Sequence, residues 1–175
     1  MKVVFMAGGK GTRISSVASD IPKPMIGICG KPVLEHEIVC LREQGFTDFI
    51  ITVGHLGEAI IDYFGDGGAF GVHIEYYIEK ELLGNAGALF CLKDKLTEDF
   101  LLLNADVLFD IDFNRFVAFH KSRGGLVTLF THPNNHPYDS GLIVTDKNGA
   151  VEQWLTKEDA RPEFYANRVN AGIHV

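Results

Sequence analysis

Apolar and polar positions alternate with two periods along this chain. Residues 2–7, "KVVFMA", form a continuous apolar run that ends in glycines, the pattern of a strand buried on both faces. Within 32–44, Val33, Leu34, Ile38 and Leu41 recur at helical spacing, and Gly45 follows, which predicts a helix that stops there. The pattern then repeats. Residues 48–53 predict a second buried strand, 57–65 a short helix, 72–78 an alternating strand, 83–96 a helix, and 100–106 an apolar strand with a polar end. Asp112 is placed to cap a helix over 113–120, and 125–131 predict another strand. Residues 141–145 and 151–155 flank "DKNG", whose Asn-Gly pair signals a hairpin, and 168–175 read as a last strand. Strands alternating with helices and followed by a hairpin predict a three-layer α/β domain, with a mostly parallel mixed sheet and an antiparallel hairpin extension.

With 175 residues, 46% of them hydrophobic, the chain is long enough to bury one core, and 1–175 is expected to be a single domain. Because 168–175 end inside an apolar strand, a domain truncated at its carboxyl end is also expected. No apolar run approaches the roughly 20 residues of a membrane span, and the first residues lack the pattern of a secretory signal, so a cytoplasmic protein without a membrane partner is expected. Cys29, Cys40 and Cys91 have neither disulfide nor zinc spacing and read as buried free thiols.

The net charge of −7 argues against nucleic acid as a partner. Its distribution is uneven. Residues 1–31 hold Lys2, Lys10, Arg13, Lys23 and Lys31 against the single acid Asp20, a basic focus suited to a small, highly charged anion.

That focus contains "FMAGGKGTRISSVASDIPKP", residues 5–24. The spacing excludes a Walker A loop and a dinucleotide fingerprint. Gly8, Gly9 and Gly11 can bring main-chain amides close to an anion because no Cβ intervenes, and Lys10 and Arg13 add a point charge and a forked one. The loop reads as a polyphosphate cradle, or else as a solvated glycine-rich turn. Pro22 and Pro24 stiffen the backbone around Lys23, which presents a held charge or is incidental to a rigid turn.

"MAGGKGTR", "PKPMI" and "GKPVLEH" together resemble the G-G-x-G-T-R and P-K-P signature of the sugar-1-phosphate nucleotidyltransferases. The resemblance continues through "YFGDG", "EKELLGNAGAL", "LLLNAD", "YDSGLIV" and "VNAGIHV", and so covers essentially the whole chain. It implies a three-layer Rossmann-like nucleotidyltransferase fold and an enzyme that transfers a nucleoside monophosphate from a nucleoside triphosphate to a sugar 1-phosphate, releasing pyrophosphate. Such chemistry needs orientation and charge neutralisation rather than a general base, since the attacking phosphate is already largely ionised at neutral pH.

The resemblance also implies roles. The loop Ala7, Gly8, Gly9, Lys10, Gly11 and Thr12 would hold the triphosphate, with Arg13 on the departing pyrophosphate and Lys23 bridging the α-phosphate and the sugar phosphate. Asp106, just past a strand end, would bind Mg²⁺. Glu79 would read the base and Gly84 approach it, which favours GTP because a carboxylate accepts from guanine's N1–H and N2–H₂ edge. Gly141, Lys157 and Asn170 would contact the sugar phosphate. Thr156-Lys157-Glu158 replaces the family's E-K-P, so a carboxylate that relatives use on a sugar hydroxyl is missing. The pattern is most like enzymes acting on mannose or D-glycero-D-manno-heptose 1-phosphate, some of which carry a fused phosphatase domain. Such a domain beyond Val175 and a homo-oligomer are further expectations. The family's second metal-binding aspartate would lie past Val175, so residues 1–175 alone are expected to be weakly active or inactive.

His55, His120, His132, His136 and His174 lack metal spacing and read as structural or solvated, and Trp154 as a core residue under the hairpin. Asp110-Ile111-Asp112 is formally a D-x-D, which admits a metal-dependent glycosyltransferase as the rival reading. A non-catalytic regulatory module of the same fold is the other.

Overall fold

Val3, Val4 and Phe5 have no solvent exposure at all, which places the amino-terminal strand at the centre of a sheet rather than at its margin. A computed structural model describes residues 1–9, 21–79, 84–134, 141–163 and 166–175. It divides into two compact units, Met1–Leu126 with Val175, and Val127–His174.

In the first unit, strand β1 is Val3–Ala7. Two residue pairs, Gly27–Ile28 (β2) and Lys31–Pro32 (β3), form a small hairpin ahead of helix α1, Val33–Glu43. Then come β4 (Asp48–Val53), α2 (Glu58–Phe64), β5 (His73–Ile78), α3 (Gly84–Cys91), β6 (Leu101–Asn104) and α4 (Phe113–Arg123). The strands run in the order β5-β4-β1-β6, every neighbouring pair parallel.

Because side chains alternate across a strand, in-register partners share a face. Val4 and Ile50 pack with Leu92, Leu89 and Leu102 on the side of α3, whereas Val3, Phe5, Phe49, Ile51, Leu101 and Leu103 point the other way and are wholly buried. Helix α1 supplies the equally buried Leu34, Ile38 and Leu41, the apolar set read from its spacing. Each such side chain contributes roughly 1.5–3 kcal/mol relative to exposure.

The second unit holds β7 (Leu129–Pro133), β8 (Leu142–Thr145), β9 (Val151–Leu155) and β10 (Arg168–His174). Strands β7 and β10 are antiparallel, and β8 and β9 form the hairpin signalled by Asn148-Gly149. Asp146 Oδ1 accepts the amides of Asn148 and Ala150 and so closes its turn. The first unit's sheet of four parallel strands alternates with helices and the second unit's pairs are antiparallel, which makes a mixed α/β fold.

Several expectations need correction. Trp154 is 52% exposed: it lies opposite Ile143 and beside Gly141 in a two-stranded hairpin, where a large ring covers its partners only by leaving its outer face to water. The cysteines are free but not buried, since Cys29 occupies a hairpin turn, Cys91 ends α3, and only Cys40 is half-buried. Strand β7 starts at Leu129 instead of 125, because Gly124 (φ 65°) ends α4 and the chain then runs through a fully exposed Leu126. Helix α3 stops at Cys91, where the Leu92 amide is shared between the carbonyls of Ala88 and Leu89 and the turn tightens. Among the described residues, no helix is long and apolar enough to cross a membrane.

Candidate active site

The parallel register decides which loops meet. Ala7 lies opposite Val53, Met6 opposite Asn104, and Val53 opposite Ile78. The residues just beyond these positions, Gly8, Gly54, Glu79 and Asp106, therefore share the carboxyl edge of one sheet, where open α/β folds place ligands. Packing there is tight. A Cβ on Gly54 would stand 2.7 Å from the Gly8 carbonyl oxygen, and one on Gly8 would stand 2.1 Å from Glu79 Oε1. At Gly54 the obstacle is main chain and leaves no room for a side chain, whereas at Gly8 it is the end of the Glu79 side chain. Beside them Val53, Gly54, Leu56, Gly57 and Ile78 line a cleft of about 550 Å³.

Lys23 reaches this edge from a stiff segment. Pro22 holds φ −64°, the Met25 amide donates to the Pro22 carbonyl at 2.8 Å, and the Ile26 amide to Lys23 at 3.0 Å, closing a single 3₁₀ turn with Pro24 buried. Lys23 Nζ then lies 3.5 Å from Asp106 Oδ2, with 22% and 39% of the two side chains exposed. The β2–β3 hairpin and α1 brace the same segment. The Val33 amide donates to the Ile26 carbonyl, His36 Nε2 lies 2.8 Å from the Ile28 carbonyl, and Glu35 is gripped by Lys31 and by the Tyr63 hydroxyl, both at 2.7 Å. Burial opposes ionisation of Glu35, but the hydrogen bonds from Lys31 and Tyr63 outweigh it and hold its carboxyl below the ordinary range.

Helix α1 also carries the loop that follows Asp106. The Val107 amide donates to Glu37 Oε1 at 2.8 Å, while Gln44, two turns further along, donates to the Ile111 carbonyl and accepts the Phe113 amide. Burial, reinforced by the nearby charge of Asp106, pushes Glu37 up to about 9. It is a neutral acid over the ordinary pH range.

Of the residues singled out in the sequence, Gly8, Gly9, Lys23, Glu79 and Asp106 are described and Gly8, Lys23, Glu79 and Asp106 gather at the sheet edge as set out above, with Ala7 ending β1 and Gly84 opening α3. Lys10, Gly11, Thr12 and Arg13 lie outside the described residues. In the second unit, Lys157 is exposed on a turn closed by Asp159 Oδ2, which accepts the amide and the hydroxyl of Thr156. Asn170 Oδ1 accepts the Gly172 amide and lies 3.1 Å from His174 Nε2. Gly141 has a packing reason of its own, since a Cβ there would stand 3.0 Å from Trp154 Nε1.

Sequence reasoning missed Glu35, Glu37 and Tyr63, and also His73, which lies 3.1 Å from Asp48. Glu37 carried a signal: it falls among the buried positions of α1's apolar face, where a charged residue type is out of place. Among the described residues no three His, Cys, Asp or Glu side chains gather as a metal cluster. A single accessible carboxylate such as Asp106 still suits Mg²⁺, which is commonly held by one or two carboxylates with phosphate and water oxygens completing the shell.

The Nucleotidyl transferase family matches residues 2–175. A UTP–glucose-1-phosphate uridylyltransferase from Synechocystis sp. is 35% identical over 189 residues, which take in 100% of this chain and 48% of that protein. Mannose-1-phosphate guanyltransferase 2 from Candida glabrata is 33% identical over 181 residues, 100% of this chain and 49% of its own. Among solved structures, HddC from Yersinia pseudotuberculosis complexed with GMP-PN superimposes with a TM-score of 0.81 at 28% identity, covering 99% of this chain and 75% of HddC. The chain belongs to the nucleotidyl transferase family. It spans about half the length of the curated relatives named here.

Proposed function

We propose that the protein transfers a nucleoside monophosphate from a nucleoside triphosphate, GTP by preference, to a sugar 1-phosphate, with release of pyrophosphate. The observation that carries this reading is the 3.5 Å approach of Lys23 to Asp106 at the edge where Gly8 and Glu79 also lie. A fixed cation and an accessible carboxylate beside a side-chain-free stretch of backbone are what a polyphosphate requires.

Main-chain amides at Gly8 and Gly9, with Lys10, Gly11, Thr12 and Arg13 continuing the loop, would bind the triphosphate. Lys23 would neutralise charge on the α-phosphate as the sugar phosphate oxygen attacks and pyrophosphate leaves. Asp106 would hold Mg²⁺, which when bound offsets the charge of the phosphate oxygens. Glu79 would accept from guanine's donor edge, next to the cleft lined by Gly54, Leu56 and Ile78. Support for guanine comes from Glu79 and from the guanyltransferase among the relatives, although a uridylyltransferase stands beside it. Gly141, Lys157 and Asn170 would take the sugar phosphate. A cytoplasmic site of action fits phosphorylated substrates and free cysteines.

The test is calorimetric titration with GTP, ATP, CTP and UTP in the presence of Mg²⁺, followed by pyrophosphate release with each triphosphate against a set of hexose and heptose 1-phosphates. Tightest binding of GTP, and weak release dependent on one sugar phosphate, are expected. Absence of binding by all four triphosphates overturns the reading.

A further inference from the structure

Glu37 takes no part in the reaction proposed above, yet it is only 1% exposed in the middle of α1. An apolar side chain of its size would fill that place without the cost of burying a polar group. What the carboxyl does there is specific. Oε1 accepts the amide of Val107, the residue directly after Asp106, at 2.8 Å, and Oε2 has no hydrogen-bond partner among the described residues. Gln44, seven residues on and so on the same helix face, performs the matching task at the other end of the loop, on Ile111 and Phe113. Residues 107–113 are thus pinned at both ends to one rigid helix.

We propose that Glu37 is a positioning residue for Asp106: by taking the Val107 amide it fixes the turn that leaves β6, and with it the direction in which the Asp106 carboxylate points. The inference rests on the role given to Asp106 above. A carboxylate that must face both Lys23 and a metal on phosphate oxygens tolerates only about 0.5 Å of error, and side chains that orient such ligands typically change metal affinity by about 10- to 100-fold when lost. Only an acceptor oxygen is required of the residue, so a glutamine can serve.

Two substitutions separate positioning from filling. In Glu37→Met the acceptor is lost at nearly constant volume; in Glu37→Gln it is kept. Hydrogen exchange of the Val107 amide and the affinity of the GTP complex for Mn²⁺, followed by its paramagnetic signal, are measured on each, with pyrophosphate release alongside. Glu37→Met is expected to expose the Val107 amide and weaken Mn²⁺ binding by about 10- to 100-fold, with kcat falling and KM for GTP nearly unchanged; Glu37→Gln is expected to restore all three to within about threefold. The inference is overturned if Glu37→Met binds Mn²⁺ as the parent does, or if Glu37→Gln is as impaired as Glu37→Met. Should Glu37→Met not fold, Glu37→Gln decides alone: a protected Val107 amide with parental Mn²⁺ affinity supports positioning, and weakened affinity, or an amide that exchanges freely, overturns it. Failure of the proposed function would instead show in the unmodified protein, as no binding of any triphosphate, and the exchange of Val107 would still report whether Glu37 fixes the turn.

Discussion

Lys23 Nζ and Asp106 Oδ2 lie 3.5 Å apart although 83 positions of sequence separate them. Replacing Lys23 by Met should lower kcat for pyrophosphate release by about 10²- to 10³-fold, the usual cost of removing a fixed donor from developing charge. Stability should hardly change, since a partly exposed ion pair contributes only about 0–1 kcal/mol. Coupled pyrophosphate assays and scanning calorimetry check both halves, and an unchanged kcat removes Lys23 from the reaction.

Glu37 gives the protein a pH dependence of known sign. Its folded pKa is about 9 against an ordinary 4.5, so between these values the folded chain keeps a proton that the unfolded chain has released. The contribution of this group to stability then falls as pH rises through this window and levels off above it, by up to about 1.4 kcal/mol per pH unit. Glu37→Gln carries no such proton. Its Tm is expected to gain on the parent by about 3 °C per unit between pH 5 and pH 8, as read by thermal denaturation. Parallel Tm curves for the two proteins would contradict the shift.

The two crowded glycines should respond differently to the same substitution. At Gly54 the new methyl meets main chain, the Gly8 carbonyl at 2.7 Å, which cannot yield without moving β1 or β4. Gly54→Ala is expected to cost about 1–3 kcal/mol in urea denaturation. At Gly8 the obstacle is the end of the Glu79 side chain, which can swing aside. Gly8→Ala should keep most of its stability and lose preference among the four triphosphates, and retention of full GTP preference would show that Glu79 does not read the base.

Cys29 is one of two described non-glycine residues with positive φ, at 50°, followed by Gly30 at 82° in the turn of the β2–β3 hairpin. Asn-Gly is the favoured pair for two successive left-handed residues. Cys29→Asn should therefore raise stability by about 0.5 kcal/mol and leave turnover as it was; a drop in Tm would contradict the strain assigned to this turn.

Asp112 Oδ1 accepts the Arg115 amide at 2.9 Å and caps α4. Asp112→Ala should cost about 1 kcal/mol of stability. Turnover should be unaffected. Loss of turnover in a folded Asp112→Ala protein would revive the D-x-D reading and a glycosyltransferase with it.

The parallel core was legible because its strands are buried on both faces: "KVVFMA" and "DFIITV" announce themselves without alternation, and α1 was marked by Leu34, Ile38 and Leu41 together with Gly45. The hairpin at Asn148-Gly149 was legible through turn chemistry. What stayed hidden depends on long-range register. Nothing in "GKPVLEHEIVC" says that its second glutamate will face the turn after β6, because that follows from the order of strands. The two-residue strands β2 and β3 are too short for any periodicity to show. Trp154 misled because residue type predicts average burial, whereas a ring on a thin hairpin answers to its cross-strand neighbours.

The strand order has a further consequence, for synthesis. β1 emerges from the ribosome before either of its neighbours but sits between β4 and β6, so Val3–Ala7 acquires one flank when Asp48–Val53 arrives and the other only with Leu101–Asn104. Until then a short, wholly apolar ribbon with unpaired amides waits through about 100 residues of translation, which takes roughly 5–20 s at ordinary elongation rates. The nascent chain is most exposed to chaperones and to self-association during that interval.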